Sequence, residues 1–260
     1  MKLCLAITTF NRVDYLKHCI ESWGRTKGTT YNWTVIVADD GSTDDTIQYL
    51  EGLEGLDVIL LKNSNSGVHY QTNSIIKTLR NLDFDVCFKV DDDVYFKKTG
   101  WDNLYLEAIK NSGYEHLVYH NDDRKKKFIP KEKFNNKVKA STDFAHVLGC
   151  FYTLTPNILN KVGCFDVETF GKQESGHIDY TYRCGLAGFN DPLTPFDADR
   201  SNEFIGLRWQ HNDPTYEHSL PEEKRMQRRS KYDPIINSSG YLNFMENRRI
   251  YVSNYMKSFM

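Results

Sequence analysis

Strand-like and helix-like patterns alternate along the first 120 residues of this 260-residue chain. Residues 3–9 form a short apolar run, and residues 12–23 follow with apolar side chains at helical spacing. The predicted strands are residues 3–9, 33–38, 58–61, 86–90 and 116–119, and the predicted helices are residues 12–23, 44–53, 69–82 and 101–110. Such alternation predicts right-handed crossovers and an α/β fold with a mostly parallel sheet flanked by helices.

Polar residues follow each of the first four predicted strands. They lie at residues 8–12, 39–42, 63–67 and 91–93. The carboxyl ends of parallel strands meet at one edge of the sheet, and ligands bind outside that edge. The sequence therefore predicts one binding edge that is built from four loops.

Three consecutive carboxylates, Asp91, Asp92 and Asp93, end the fourth predicted strand. Like charges held this close repel each other, so the arrangement is costly unless a cation neutralises it. A hard divalent ion, Mg²⁺ or Mn²⁺, takes oxygen ligands and accepts carboxylates beside phosphates. Taken alone, the triplet fits a solvated acidic turn equally well.

Composition excludes several classes of protein. The net charge of −2 gives no overall attraction to nucleic acid or to an anionic membrane. The six cysteines are scattered and form no Cys-x-x-Cys pair, so we expect neither a zinc site nor a disulfide framework. The first apolar run is too short for a signal sequence, and no segment is long enough to span a membrane. These features predict a soluble protein of the cytoplasm.

Two segments are strongly basic, at residues 124–139 and 224–231. Such charge runs are commonly solvated faces of loops or helices. They could also bind phosphate groups or an anionic acceptor, such as an anionic glycan or modified DNA. In the second case, acceptor binding would weaken steeply as the salt concentration rises.

Three segments together resemble a known family. They are residues 7–12 (Ile-Thr-Thr-Phe-Asn-Arg), 35–44 (Val-Ile-Val-Ala-Asp-Asp-Gly-Ser-Thr-Asp) and 90–93 (Val-Asp-Asp-Asp). Their order and approximate spacing are similar to those of family 2-like glycosyltransferases, which have the Rossmann-like GT-A fold. The resemblance covers roughly residues 1 to 210, and its second and third segments are specific only in combination. It implies metal-dependent transfer of a sugar from a nucleoside diphosphate-sugar, with UDP-sugar favoured, to a hydroxyl acceptor.

The resemblance also implies which residues bind the donor. An acid after the second strand, Asp40 with Asp39 beside it, would contact the base or ribose, because a carboxylate accepts hydrogen bonds from an imide N–H or from hydroxyls. A glycine in the third loop would let the backbone approach the nucleoside closely. The donor-binding residues implied in this way are Thr8, Thr9, Phe10, Arg12, Asp39, Asp40, Asn65, Gly67, Asp91 and Asp92.

Asp91 and Asp93 match the Asp-x-Asp pattern of the family. The resemblance implies that Asp93 is the more direct ligand of Mn²⁺ or Mg²⁺ and that Asp91 binds either the ribose or the metal. Such an ion bridges the diphosphate and stabilises charge as the sugar–phosphate bond breaks. A late histidine often completes the metal site, and His211 is the first candidate in this chain, followed by His218.

The acceptor side departs from the family pattern. The family usually has Glu-Asp-x-Asp before a helix that contains Arg, whereas residues 174–183 read Glu-Ser-Gly-His-Ile-Asp-Tyr-Thr-Tyr-Arg. Asp179 and Arg183 match the last acid and the arginine, so the usual position of the general base falls on His177. A histidine can accept a hydroxyl proton near neutral pH. The base is therefore His177, Asp179 or Glu174, unless His177 caps the helix or binds metal instead.

The implied organisation has three parts. Residues 1–120 would form the nucleotide-sugar-binding half and residues 121–215 the acceptor-binding half of one GT-A domain, with a small antiparallel portion in the second half. Helical patterns near residues 221–231 and 241–255 predict a C-terminal extension over residues 216–260.

Two other functions remain compatible with this fold. A nucleotidyltransferase usually has a Gly-rich basic loop after the first strand, and residues 8–12 contain no glycine. A non-catalytic protein that binds nucleotide-sugars would explain the missing acidic base, but the intact acidic triplet speaks against it. The hydroxyl-bearing acceptor is expected to be a glycan, with nucleic acid as the alternative.

Overall fold

The computed structural model describes residues 1–56, 58–120, 128–130, 135–141, 148–171, 176–192 and 194–208. The chain divides into two compact units, Met1–Arg208 and Trp209–Met260. The second unit lies outside the described residues, and so do the predicted C-terminal helices. The division follows Arg208, whereas the sequence predicted an extension that begins at residue 216.

Strands and helices alternate through the first unit. Its strands are β1 (Lys2–Thr9), β2 (Asn32–Asp39), β3 (Val58–Lys62), β4 (Val86–Asp91), β5 (Val94–Phe96), β6 (Phe128–Pro130), β7 (Val138–Ser141), β8 (Phe151–Leu154), β9 (Phe196–Ala198) and β10 (Ile205–Leu207). Its helices are α1 (Val13–Thr26), α2 (Thr46–Glu51), α3 (Val68–Leu79), α4 (Trp101–Ser112), α5 (Pro156–Lys161), α6 (Val167–Phe170) and α7 (Gly176–Leu186), with one 3-10 turn at Ser201–Glu203.

The main sheet has the strand order β3-β2-β1-β4-β8. Its first four strands are parallel, and β8 runs antiparallel to β4. Two smaller antiparallel sheets accompany it, one of β6, β7 and β9 and one of β5 and β10. The predicted α/β fold with a mostly parallel sheet and a small antiparallel portion is therefore confirmed.

Side chains alternate across β1 and so divide the interior into two cores. Leu3, Leu5 and Ile7 face one core, whereas Cys4 and Ala6 face the other. The first core lies under α1 and α4 and is rich in aromatic rings: Trp23, Phe88, Trp101, Tyr105 and Phe151. The second core lies under α3, α5 and α7. With helices on both faces, the parallel strands are buried, which explains why they read as continuous apolar runs.

The predicted strand at residues 116–119 is wrong. Only an isolated bridge from Val118 to Tyr152 forms there. The backbone amides of residues 116 and 117 donate to the Phe189 carbonyl and the Thr153 hydroxyl. Those of residues 118 and 119 donate to the carbonyls of Phe196 and Phe151. Because the hydrogen bonds go to separate segments, no regular ladder develops. Leu117 and Tyr119 instead pack into the first core and Val118 into the second.

Within the described part of the chain, no helix is both long enough and apolar enough to cross a membrane.

His116 generates a prediction about pH and stability. Its ring is buried, with Nδ1 2.9 Å from the Thr153 carbonyl and Nε2 3.1 Å from the Thr181 hydroxyl, and burial lowers the pKa of His116 to about 4. The unfolded chain binds this proton more strongly, so His116 by itself should lower the free energy of unfolding by roughly 3 kcal/mol between about pH 6.5 and pH 4. Asp197, whose pKa burial raises to about 6, acts in the opposite direction in every variant. Urea unfolding at several pH values should show a shallower fall for His116→Gln.

The matched control is His18→Gln, since His18 is only partly buried against Tyr95. The buried His120, whose pKa burial lowers to about 3, contributes its own pH dependence to every variant alike. A fall of equal steepness in His116→Gln and the parent protein would contradict the prediction.

Candidate active site

The pairing of parallel strands brings the predicted polar residues into one row. Thr8 lies beside Asp91 across the β1–β4 pair, and Thr9 lies beside Asp39 across the β1–β2 pair. The Thr8 hydroxyl donates to Asp91 Oδ1 at 2.8 Å. The carboxyl edge of the sheet therefore carries acids from β2 and β4 with the hydroxyls of β1 between them.

The loop after β1 is tied to the loop after β2. Asn11 has a positive φ of 52°. Its backbone N–H donates to the Ser42 hydroxyl at 2.8 Å, and its side-chain oxygen Oδ1 accepts the Thr43 backbone N–H at 2.7 Å. Phe10 lies partly exposed in this loop, and Arg12 directly precedes α1. Phe10 and Arg12, two of the predicted donor-binding residues, are thus held at the binding edge.

Asp40 shapes the loop after β3. Its two carboxylate oxygens accept the backbone amides of Ser66 and Gly67, each at 2.7 Å, and its carbonyl accepts the amide of Asn65 at 2.8 Å. Gly67 has a φ of 97°, a conformation that a residue with a side chain rarely adopts. The predicted residues Asp40, Asn65 and Gly67 therefore act together, with Asp40 organising the loop.

Asp39 differs from its neighbour because one of its oxygens remains available. Oδ2 accepts the amides of Gly41 and Ser42, both at 3.0 Å. Oδ1 is buried and has no hydrogen-bond partner among the described residues. A buried carboxylate oxygen without a partner is costly, and a donor group of a ligand would satisfy it.

Side chains of this protein neutralise much of the acidic triplet. The Arg12 guanidinium pairs with Asp92 at 2.8 Å, and the buried Lys89 ammonium pairs with Asp91. The sequence indicated only that a cation was needed. Lys89 lies on β4 two residues before Asp91 and so faces the same side of the sheet, a signal that strand periodicity contained.

Asp92 occupies a different place from the one predicted. Its side chain is buried, and its second oxygen accepts the Thr9 hydroxyl at 2.8 Å. Burial raises the pKa of Asp92 to about 8, although Arg12 opposes this shift. We therefore correct the predicted donor contact at Asp92: both of its oxygens are directed inward, where they anchor Arg12 and Thr9.

Asp93 presents the second oxygen that lacks a partner. Oδ1 is buried without a hydrogen bond to any described residue, and Oδ2 lies 3.8 Å from Arg12 Nη2. Burial, with the Asp91 charge second, raises the pKa of Asp93 to about 6. The Asp91 side chain is 30% exposed, so two carboxylates of the Asp-x-Asp pattern are placed to receive a cation.

The described residues contain no group of three or more His, Cys, Asp or Glu side chains that could hold a metal ion. Two carboxylates still fit Mg²⁺ or Mn²⁺, since these ions commonly combine one or two carboxylates with substrate phosphates and water. The predicted ligand His211 lies outside the described residues.

On the acceptor side, the structure separates His177 from Asp179. His177 lies partly exposed in the first turn of α7, and its ring packs on the backbone of Gly149, where an added Cβ would come within 2.8 Å of Cγ. Asp179 is fully buried, and its Oδ2 accepts Arg183 Nε at 2.9 Å. Burial raises the pKa of Asp179, and Arg183 opposes the shift. Glu174 lies outside the described residues.

No local pattern indicated a role for His69, yet its side chain connects α3 to Gly171 and Gly176. It is the second residue of α3, and its buried ring has Nδ1 2.8 Å from the Gly171 carbonyl. The ring also packs on Gly176, where an added Cβ would lie 2.6 Å from Cε1. His69 thus holds Gly171 and Gly176 against α3, the helix that follows the Asp40-organised loop.

Two lysines of the first basic segment already have acidic partners. Lys137 donates to Glu107 at 2.6 Å, and the buried Lys139 lies 3.7 Å from Asp197. Lys139 is therefore not available to a polyanion, whereas Lys137 stays exposed in a surface ion pair. The other residues of that segment, and all of residues 224–231, lie outside the described part of the chain.

Fold and site together define a GT-A glycosyltransferase, with acids at the ends of β2 and β4 along the nucleotide-binding edge. Residues 4–170 match the family described as Glycosyl transferase family 2, and this chain belongs to that family.

One curated relative is the uncharacterized glycosyltransferase R363 of Acanthamoeba polyphaga mimivirus. It is 29% identical over 217 residues, which cover 80% of this chain and 81% of the relative. Among solved structures, S. aureus TarS 1-349 has a TM-score of 0.56 at 17% identity and covers 79% of this chain and 60% of its own. The mannosyltransferase PcManGT of Pyrobaculum calidifontis has a TM-score of 0.52 at 12% identity. The match covers 74% of this chain and 55% of PcManGT. This chain spans less than two thirds of these two structures, and at such identities the likeness shows the fold.

Asp39 and Asp40 should respond differently to the same substitution. Asp39→Asn can keep the Oδ2 hydrogen bonds and changes only the oxygen that has no partner, so the free energy of unfolding should change by less than about 1 kcal/mol. Asp40→Asn places a side-chain NH₂ group against a backbone N–H, so the free energy of unfolding should fall by about 2–3 kcal/mol. Urea denaturation of both variants measures the difference. Equal destabilisation would contradict the distinction between the two acids.

Proposed function

We propose that this glycosyltransferase transfers a sugar from a nucleoside diphosphate-sugar to a hydroxyl group of its acceptor. The observation that carries the proposal is the pair of buried carboxylate oxygens, Asp39 Oδ1 and Asp93 Oδ1, that have no partner among the described residues. Asp39 is the last residue of β2 and Asp93 follows β4, so both lie at the edge where ligands of parallel sheets bind. Asp39 Oδ1 suits a hydrogen-bond donor of the nucleoside, and Asp93 Oδ1 suits a cation at the diphosphate.

A uridine diphosphate donor is the first candidate. Asp39 Oδ1 can accept a hydrogen bond from the base imide or from a ribose hydroxyl. TarS structures have been solved in complex with UDP and with UDP-GlcNAc, and that of PcManGT with GDP-Man and Mn²⁺. We infer that Thr8, Phe10 and the Asp40-organised loop line the same nucleoside pocket.

We propose Asp91 and Asp93 as the residues that hold Mn²⁺ or Mg²⁺, with His211 as a further ligand. When bound, such an ion supplies positive charge at the diphosphate oxygens. Asp93 is the more direct ligand because its Oδ1 has no competing hydrogen bond among the described residues, whereas Asp91 Oδ1 already accepts Thr8 and Lys89. Lys89 and Arg12 keep the acidic triplet from accumulating uncompensated negative charge.

His177 is the proposed general base. Asp179 is fully buried and paired with Arg183, so it cannot reach an acceptor without breaking that ion pair. His177 is partly exposed and packs on Gly149, next to Cys150, whose carbonyl accepts the amide of Asp91. A neutral imidazole here can take the acceptor hydroxyl proton as the oxygen bonds to the sugar. Glu174 remains a second candidate.

Asp93→Asn tests the donor site. Replacing a metal-binding carboxylate should lower Mn²⁺-supported turnover of UDP-sugars by at least about 100-fold. The free energy of unfolding should stay the same or rise, because the substitution removes charge repulsion in a buried acidic cluster. The measurements are donor hydrolysis and transfer with MnCl2 or EDTA, together with urea unfolding.

Asp83→Asn is the control for that variant, since Asp83 is an exposed carboxylate paired with Lys2 at the far end of β4. Its turnover should match that of the parent protein. Full Mn²⁺-supported turnover in Asp93→Asn would overturn the assignment of Asp93 to the metal.

His177→Gln tests the base. The amide cannot accept the proton, so the rate constant of transfer should fall by about 10²–10⁴-fold while the affinity for UDP stays unchanged. Kinetics at saturating donor and a separate UDP titration distinguish these two effects. Asp179→Asn should instead reduce stability, because it weakens the buried pair with Arg183. Unchanged transfer in His177→Gln would place the base elsewhere.

A further inference from the structure

Two arginines from distant parts of the chain share one tyrosine ring beside the acidic triplet. The guanidinium carbon of Arg12 lies 4.2 Å from the centroid of Tyr15, and that of Arg208 lies 4.6 Å from it. Tyr15 is buried in the first turn of α1. The ring therefore holds two cations close to each other, although like charges repel.

The two cations differ in how their charges are balanced. Arg12 pairs with Asp92 at 2.8 Å and lies 3.8 Å from Asp93. The Arg208 side chain contacts the Tyr15 ring and donates Nη1 to the carbonyl of Asp14 at 3.0 Å. No carboxylate among the described residues forms an ion pair with Arg208, so its charge is positioned without an acidic partner.

The backbone fixes Arg208 next to Asp93. β10 runs antiparallel to β5 with Leu207 opposite Val94, and the Arg208 amide donates to the Asp93 carbonyl at 2.8 Å. The side chain is only partly exposed, since it lies on Tyr15. A guanidinium held in this way loses little conformational entropy when it binds an anion, because backbone and ring have already ordered it.

We propose that Arg208 binds the diphosphate of the donor, a role that rests on the proposed function and adds a residue to its site. Its position suits this ligand, because the Arg208 amide binds the Asp93 carbonyl and its guanidinium shares a ring with Arg12, which contacts Asp93. A guanidinium presents several N–H donors in one plane and matches two phosphoryl oxygens at once. Arg12, on the same ring, keeps its ion pair with Asp92 and sets the position of Tyr15.

Arg208 also suits the charge that develops during transfer. The bond between the anomeric carbon and the β-phosphate oxygen breaks, and its electron pair remains on that oxygen. The acceptor oxygen bonds to the same carbon and gives its proton to His177. The leaving diphosphate gains one negative charge, which a fixed guanidinium stabilises more than it stabilises the intact donor.

The test compares a nucleoside with its diphosphate. The 260-residue chain and its Arg208→Gln, Arg208→Lys and Arg200→Gln variants are titrated by calorimetry in MnCl2. The ligands are UDP and uridine, and GDP and guanosine. Arg200 is the matched control, since it is exposed and paired with Glu203 at 2.6 Å. Thermal unfolding of each variant shows whether the fold is kept.

Arg208→Gln should bind the diphosphate at least about tenfold more weakly and the nucleoside equally well. The affinity of Arg208→Lys for the diphosphate should lie between those of Arg208→Gln and the parent protein, because lysine keeps the charge but not the planar donors. Arg200→Gln should match the parent protein.

Parental diphosphate affinity in Arg208→Gln, or an equal loss for nucleoside and diphosphate, overturns the role of Arg208 alone. A parent protein that binds neither UDP nor GDP overturns both this role and the proposed function.

Discussion

The pairing of two cations, the buried Lys89 and the partly exposed Arg12, with three adjacent carboxylates is the interaction on which the binding edge depends. Lys89 lies inside β4 and pairs with Asp91, and Arg12 pairs with Asp92 from the start of α1. Without them the end of β4 would collect repelling charges in a medium of low dielectric constant, where each uncompensated ion is costly. With them, Asp92 is directed inward, and Asp93 retains an oxygen that no described residue satisfies.

The loops around this cluster are joined by polar contacts that make the edge one structure. Asn11 joins the loops after β1 and β2, Asp40 joins those after β2 and β3, and His69 connects α3 to Gly171. Hydrogen bonds to a carboxylate are stronger than those between neutral groups, which suits Asp40 to hold an irregular loop. A shift in one loop should therefore be felt by the others.

Much of the fold follows from local patterns. Apolar periodicity located β1 to β4 and the helices between them. A helix buried along one stripe has apolar residues at helical spacing, and a strand buried on both faces is a continuous apolar run, so both can be recognised in the sequence. The error at residues 116–119 arose because an apolar segment can fill a core without joining a ladder. The inward position of Asp92 was missed because three adjacent acids look alike until their partners are known.

The sequence by itself determined the alternating layers, the acids at the ends of β2 and β4 and the membership of the chain in a glycosyltransferase family, since each depends on adjacent residues or short motifs. Only the tertiary structure decided which acid faces which cation. Thr8 meets Asp91 across 83 residues of chain, and Arg208 meets Tyr15 from the other end of the unit. Such pairs depend on sheet register and strand order, which no local pattern specifies.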